Sequence, residues 1–127
     1  MRKTSRILAI ALIAVLALVT AAAAAQYPIQ LKDGTGATVT LKSEPKRIVS
    51  IVPSVTEMVY AVGLGDRLVG ATAWCTYPEE AKKLPKVGDV NINIEAVLAL
   101  KPDLVVADVS MSSATIDKLR ELGLPVL

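Results

Sequence analysis

The amino-acid sequence predicts an α/β protein: an open parallel sheet with flanking helices, preceded by a β-hairpin. Three observations carry this. The runs at residues 47–52, 67–71 and 104–107 are short, rich in Val, Ile and Leu, and lack polar alternation, as do strands buried on both faces. Apolar residues between these runs recur at helical spacing. At the front, the Gly-rich stretch Lys32-Asp33-Gly34-Thr35-Gly36 separates two strand-like segments, 29–31 and 37–41, the pattern of a hairpin turn.

The elements follow in order. Pro53 ends the first buried strand, and Ser54-Val55-Thr56-Glu57 has the spacing of a capping box, in which the Ser54 hydroxyl and the Glu57 carboxylate each satisfy the other's free amide. Val55, Met58, Val59 and Val62 then mark an inward helix face, and Gly63 marks its stop. After the second strand comes a long loop, 72–91, with a helical turn expected at Glu79–Lys83. A helix over 94–100, apolar but for Glu95, halts at Lys101-Pro102, since proline disfavours helix in the residue before it. The third strand follows, then a helix capped by Ser112 or Ser113, with Ile116, Leu119 and Leu122 inward and Gly123 at its end. Pro125-Val126-Leu127 reads as the start of a fourth strand. Alternating strand and helix imply parallel pairing with right-handed crossovers.

Residues 1–25 have the layout of a secretory signal peptide: basic Arg2, Lys3 and Arg6, an apolar run from Ile7 broken only by Thr20, and Ala23-Ala24-Ala25 before Gln26. An uncleaved anchor is the rival reading, because the apolar run approaches the ~20 residues that span a bilayer. No cysteine follows the run, so a lipid anchor is not expected. Three of the fourteen Lys and Arg lie in this segment, leaving eleven against twelve Asp and Glu, a net charge of −1. Nucleic acid is therefore not an expected partner. The chain has no histidine and one cysteine, Cys75. These exclude Ser-His-Asp and Cys-His catalysis, imidazole metal sites and an internal disulfide. No enzyme activity and no cofactor are expected.

In open parallel sheets, ligands bind at the carboxyl ends of the strands. Three loops meet that condition: Pro53-Ser54, Thr72 to Pro78, and Asp108 to Ser113. The middle one, "TAWCTYP", holds two of the four aromatics beyond residue 25, Trp74 and Tyr77. Trp74 reads equally as a lid on the local core or as a stacking surface for a large ligand. Cys75 reads first as a small buried apolar residue. Ser54, Ser110, Ser112 and Ser113 read first as caps, and "GDVN", residues 88–91, as a turn.

The stretch "PKRIVSIVPSVTEMVYAVGLGDRLVGATAWCTYPEEAKKLPKVGDVNINIEAVLALKPDLVVA" resembles the N-terminal lobe of the class III periplasmic binding proteins. These are the cobalamin and ferric-siderophore solute-binding proteins of ABC importers. The "PSVTE" turn, the "YP" loop, the "KVG" turn and above all "NIEAVLALKPDLVVA" carry the resemblance through their order and spacing. It covers the chain from about Tyr27 onward, which sets expected boundaries of 1–25 for the signal peptide and 26–127 for the N-terminal lobe. A linker helix and a second lobe complete the family pattern, so this chain is expected to be truncated before them.

The resemblance implies a binding protein that delivers cobalamin to an ABC permease and meets the membrane only through that transporter. A ferric siderophore or haem is the alternative ligand, and a non-transport exported binding or sensor domain the alternative role. "CTYP" and the preceding aromatic resemble the cobalamin branch: Trp74 stands where an aromatic packs on the corrin, and Tyr77 matches the family's loop tyrosine. In the "GDVN" loop that branch has a further aromatic, absent here. The implied ligand contacts are Pro53, Ser54, Trp74, Cys75, Thr76, Tyr77, Asp89, Ser110 and Met111. Glu95 matches the glutamate of the family's "N-[LI]-E" motif, which meets permease arginines.

Overall fold

The structure, a computed structural model, describes residues 26–127. The expected signal segment, residues 1–25, lies outside the described residues. Strands β1 (Ile29–Lys32) and β2 (Thr38–Leu41) form the antiparallel hairpin. Strands β3 (Ile48–Ser50), β4 (Leu68–Ala71) and β5 (Leu104–Val106) form a parallel sheet in the order β4-β3-β5. Both edges are extended by single bridges: Lys86 pairs beside Ala71, and Val126 beside Val105. The second is the fourth strand the sequence predicts. The first lies inside the segment read as loop, where the Ala71 amide donates to Pro85 and the Val87 amide to Ala71.

Three helices cover the sheet: α1 (Pro53–Ala61), α2 (Ile94–Ala99) and α3 (Ser113–Glu121), with 3₁₀ turns at Gly65–Arg67 and Glu79–Lys83. Strand side chains alternate between faces, and the core divides accordingly. Val49 and Val105 pack with Val97 of α2 and with Ile116 and Leu119 of α3. Ile48, Leu68, Leu104 and Val106 pack with Val59 of α1 and with Val39 and Leu41 of the hairpin. The helix after β3 thus lies on one face, and the helices after β4 and β5 on the other.

Several expectations are corrected. Helix α1 has no capping box: it starts at Pro53, with Val52 as its N-cap and no side-chain cap. Proline suits the first helical position because it has no amide to leave unpaired there, so the helix begins one residue before Ser54. Its buried residues are Thr56 and Val59, whereas Met58 and Val62 are exposed. In α2, apolar but for Glu95, Val97 alone is fully buried and Leu98 is exposed. Leu122 is likewise exposed, sitting at the C-cap of α3. Ser112 takes the N-cap position of α3, but its side chain makes no capping bond. The predicted stops hold, with Gly63 at φ +79 and Gly123 at φ +84.

The hairpin is fastened by Asp33. One oxygen of its carboxylate accepts from the Thr35 hydroxyl at 2.6 Å and from the Thr35 and Ala37 amides at 2.8 and 2.9 Å. The other pairs with Arg120 of α3. The Thr35 hydroxyl above all, then Arg120 and the two amides, hold this carboxyl well below the usual carboxylate range against the opposing effect of burial. A depressed folded-state pKa gives stability that is present above the unfolded value and lost as pH falls. The stability gap between the native chain and Asp33→Asn is therefore expected to be widest at neutral pH. It should shrink below about pH 4, where the unfolded carboxylate takes up its proton. Urea midpoints at pH 7, 4 and 3 check this, and a gap independent of pH would contradict it.

Candidate functional site

The carboxyl ends of β3, β4 and β5 bring the three predicted loops to one edge. Because α1 leaves β3 toward one face and the chain leaves β5 toward the other, the adjacent strand ends form a topological switch point, the position at which such sheets hold their ligand crevice. Ser54 and Ser110 stand on its two sides, and Asp108 joins them. Its carboxylate accepts from the Ser110 amide at 2.7 Å and from the Ser110 hydroxyl. Those two bonds, the hydroxyl first, and the nearby Ser54 hydroxyl lower the Asp108 pKa against partial burial. The sequence reading did not single out Asp108 for this. The signal was present as Asp-x-Ser, since an aspartate side chain commonly accepts from the amide two residues on.

On the other flank, Trp74 and Tyr77 are 62% and 68% exposed. Cys75 stands differently from the expectation that placed it among ligand contacts: it is 1% exposed, with its sulfur 3.1 Å from Thr56 Oγ1 and 3.2 Å from Thr72 Oγ1. The Ala73 amide donates to Gly88 at 2.8 Å, which ties this loop to the "GDVN" turn. Gly88 has φ +119, and a Cβ there would lie 2.2 Å from the Asn91 carbonyl oxygen, so only glycine fits. Asp89 closes the turn by accepting from the Asn91 amide at 3.0 Å. Of the other predicted contacts, Ser54, Thr76, Asp89 and Ser110 are exposed, Pro53 is partly buried, and Met111 packs partly against the core.

The sequence reading missed two apolar residues at this edge. Val90, at the tip of "GDVN", and Val109, after β5, are 76% and 72% exposed. With Trp74 and Tyr77 they place four exposed apolar side chains on three neighbouring loops. Single exposed apolar residues need no explanation, whereas apolar residues grouped on one edge are the kind of surface that takes a ligand or partner. A concavity of about 510 Å³ lies elsewhere, between β2 and residues 123–126. Two of its charged groups are already engaged: Asp103 accepts from the Lys46 and Arg47 amides, and Arg120 serves Asp33 and the Val126 carbonyl. Among the described residues no group of His, Cys, Asp and Glu is placed to hold a metal ion.

Glu95 is exposed in the first turn of α2, whose N-cap Asn93 accepts from the Ala96 amide at 3.0 Å. The turn "GDVN" leads directly into α2, so Glu95 stands at the same end of the sheet as the crevice.

A family model described as periplasmic binding protein matches residues 48–127. The chain belongs to the periplasmic binding protein family. An uncharacterized ABC transporter substrate-binding lipoprotein of Bacillus subtilis (strain 168) is 51% identical to this family member over 104 residues, 80% of this chain and 33% of the relative. A vitamin B12-binding protein of Yersinia pestis (strain Pestoides F) is 47% identical over 83 residues, 64% of this chain and 30% of the relative. Among solved structures, the periplasmic vitamin B12 binding protein of Vibrio cholerae superposes with a TM-score of 0.62 at 41% identity, covering 65% of this chain and 33% of that one. The heme binding protein HmuT gives 0.70 at 30% identity, covering 83% and 35%. This periplasmic binding protein chain spans about a third of the length of the relatives it matches.

Proposed function

We propose that the chain forms one wall of the ligand site of an exported substrate-binding protein serving an ABC importer, and that the ligand is a corrinoid. The observation that carries this is the character of the crevice edge. It presents Trp74, Tyr77, Val90 and Val109, while residues 53–57, 72–78, 88–91 and 107–112 contain Glu57, Asp89 and Asp108 and no lysine or arginine. Such a surface suits a large, flat ligand without net negative charge, and cobalamin is neutral or cationic. Haem carries two propionates and ferric siderophores are commonly anionic; both call for cationic partners at close range. Two of the relatives above are named for vitamin B12 binding, which supports the same reading.

Haem is the second reading, favoured by the similarity to HmuT over 83% of the chain. Visible spectra of the full-length protein after incubation with cyanocobalamin, hemin or a ferric catecholate, followed by gel filtration, separate the ligands. A retained corrin spectrum is expected, and retention of hemin alone would sink the corrinoid assignment.

The proposal extends to Glu95 as a permease-docking residue. Among the described residues its carboxylate has no hydrogen-bond or ion-pair partner, and Leu98, one turn on, is exposed beside it. The simpler role, favourable interaction with the positive end of α2, is worth only roughly 0.3–1 kcal/mol. Exposed charges of this kind set orientation and association rate with a charged partner. Glu95→Arg in the full-length protein is expected to leave ligand affinity and fold intact and to impair uptake through the transporter. Normal uptake, or lost ligand binding, would refute the docking role.

A further inference from the structure

We propose that four buried polar side chains beneath the crevice, Ser50, Thr56, Thr72 and Cys75, form a positioning cluster that fixes Trp74. This rests on the reading of Trp74 as a ligand-facing residue. All four are at most 1% exposed. Thr56 Oγ1 lies 2.8 Å from Ser50 Oγ, 3.0 Å from the Val52 carbonyl and 3.1 Å from Cys75 Sγ, and Cys75 Sγ lies 3.2 Å from Thr72 Oγ1. Ser50 Oγ donates to the Val52 carbonyl at 3.2 Å. Among the described residues no buried side-chain nitrogen or oxygen lacks a partner.

The cluster joins separate parts of the fold at one point. Ser50 ends β3, Thr56 lies in the second turn of α1, Thr72 follows β4, and Cys75 belongs to the loop itself. From residue 72 to residue 77 only Thr72 and Cys75 are buried, while Ala73, Trp74, Thr76 and Tyr77 are exposed. The loop is therefore gripped through two side chains, one on each side of Trp74. The same Thr56 sits two residues after Ser54, so a single hydroxyl ties the Trp74 loop to the helix that carries Ser54.

Stability alone does not account for this choice. Replacing hydrogen-bonded partners by apolar groups of the same shape is often nearly neutral for folding. What the polar version adds is direction, because hydrogen bonds fix orientation where apolar contacts permit sliding. Holding an exposed indole in one place before ligand arrives reduces the ordering cost of binding.

Trp74 is the chain's one tryptophan, so its fluorescence reports the loop directly and without ligand. In Thr56→Val and Cys75→Val, Trp74 anisotropy is expected to fall and acrylamide quenching to rise, with far-ultraviolet circular dichroism unchanged. Cys75→Ser, which keeps a polar group there, should restore the native values. In the full-length protein, the two apolar variants should bind cyanocobalamin roughly two- to tenfold more weakly, the cost of ordering one side chain. Unchanged anisotropy in folded Thr56→Val and Cys75→Val would overturn the positioning role. Unfolding of both would also overturn it, since the cluster would then hold the fold and not the loop. If Thr56→Val alone unfolds, the comparison of Cys75→Val with Cys75→Ser decides. Lowered anisotropy with Trp74→Ala leaving cyanocobalamin affinity unchanged would retain the positioning role and remove Trp74 from the ligand site.

Discussion

Leu119→Ala is expected to destabilise the fold by about 2–5 kcal/mol, the range for truncating a buried leucine. Leu119 is fully buried in the core that α3 shares with Val49, Val105 and Val126. Its loss opens a cavity against three parallel β segments whose side chains cannot all close in, because their positions are set by backbone pairing. Leu122, three residues on at the C-cap of the same helix, is 44% exposed. Leu122→Ala should cost less than about 1 kcal/mol, as surface changes do. Urea unfolding of the two variants checks the contrast. Equal midpoints would mean that α3 is not seated on the sheet as described. Against typical domain stabilities of roughly 5–15 kcal/mol, the Leu119 change alone removes a large share.

Where the sequence spoke through local rules, the fold was legible. The uninterrupted apolar runs gave β3, β4 and β5, because a strand covered on both faces has no polar side to show. Gly63 and Gly123 marked helix ends, and the Glu79–Lys83 turn formed as expected. Side-chain direction was less legible. Met58, Val62, Leu98 and Leu122 are apolar and at helical spacing, yet all four face outward. A short helix on a three-stranded sheet has room for only a narrow inward stripe, and in α1 Thr56 takes part of it. Nothing in the residue type announces a buried threonine; its partners, Ser50 and Cys75, are six and nineteen residues away. The pairing of Lys86 with β4 was hidden for a related reason. It is one bridge long, and its only apolar mark is Val87.

The candidate site was read in the same uneven way. Its location followed from topology, because carboxyl-end loops are identified once the parallel strands are. Its chemistry did not follow as directly. Cys75 and Trp74 are adjacent, yet one is inside and the other outside, a difference set by the turn that begins at Thr72 and returns the Cys75 amide to the Thr72 carbonyl at 3.1 Å. Asp108 and Val109 belonged to a loop noticed for its serines.

Trp74→Ala in the full-length protein is expected to weaken corrinoid binding by ~1–3 kcal/mol, the value of a large aromatic surface buried on a ligand. That corresponds to roughly 5- to 150-fold in dissociation constant. The indole is 62% exposed and needs no ligand to complete the local core, so its truncation should leave folding stability nearly unchanged. Separation of affinity from stability is the useful feature, because a lid on the core would show the reverse. Titration with cyanocobalamin monitored by absorbance, beside urea unfolding of the same variant, measures both. Tyr77→Phe supplies a second contrast: it removes only a hydroxyl, and for a 68% exposed ring the effect should stay near the roughly 0.5–1.5 kcal/mol of one hydrogen bond. Unchanged affinity with a lowered urea midpoint in Trp74→Ala would return the residue to a purely structural role. The ligand face would then consist of Val90, Val109 and the Ser54–Asp108–Ser110 crevice alone.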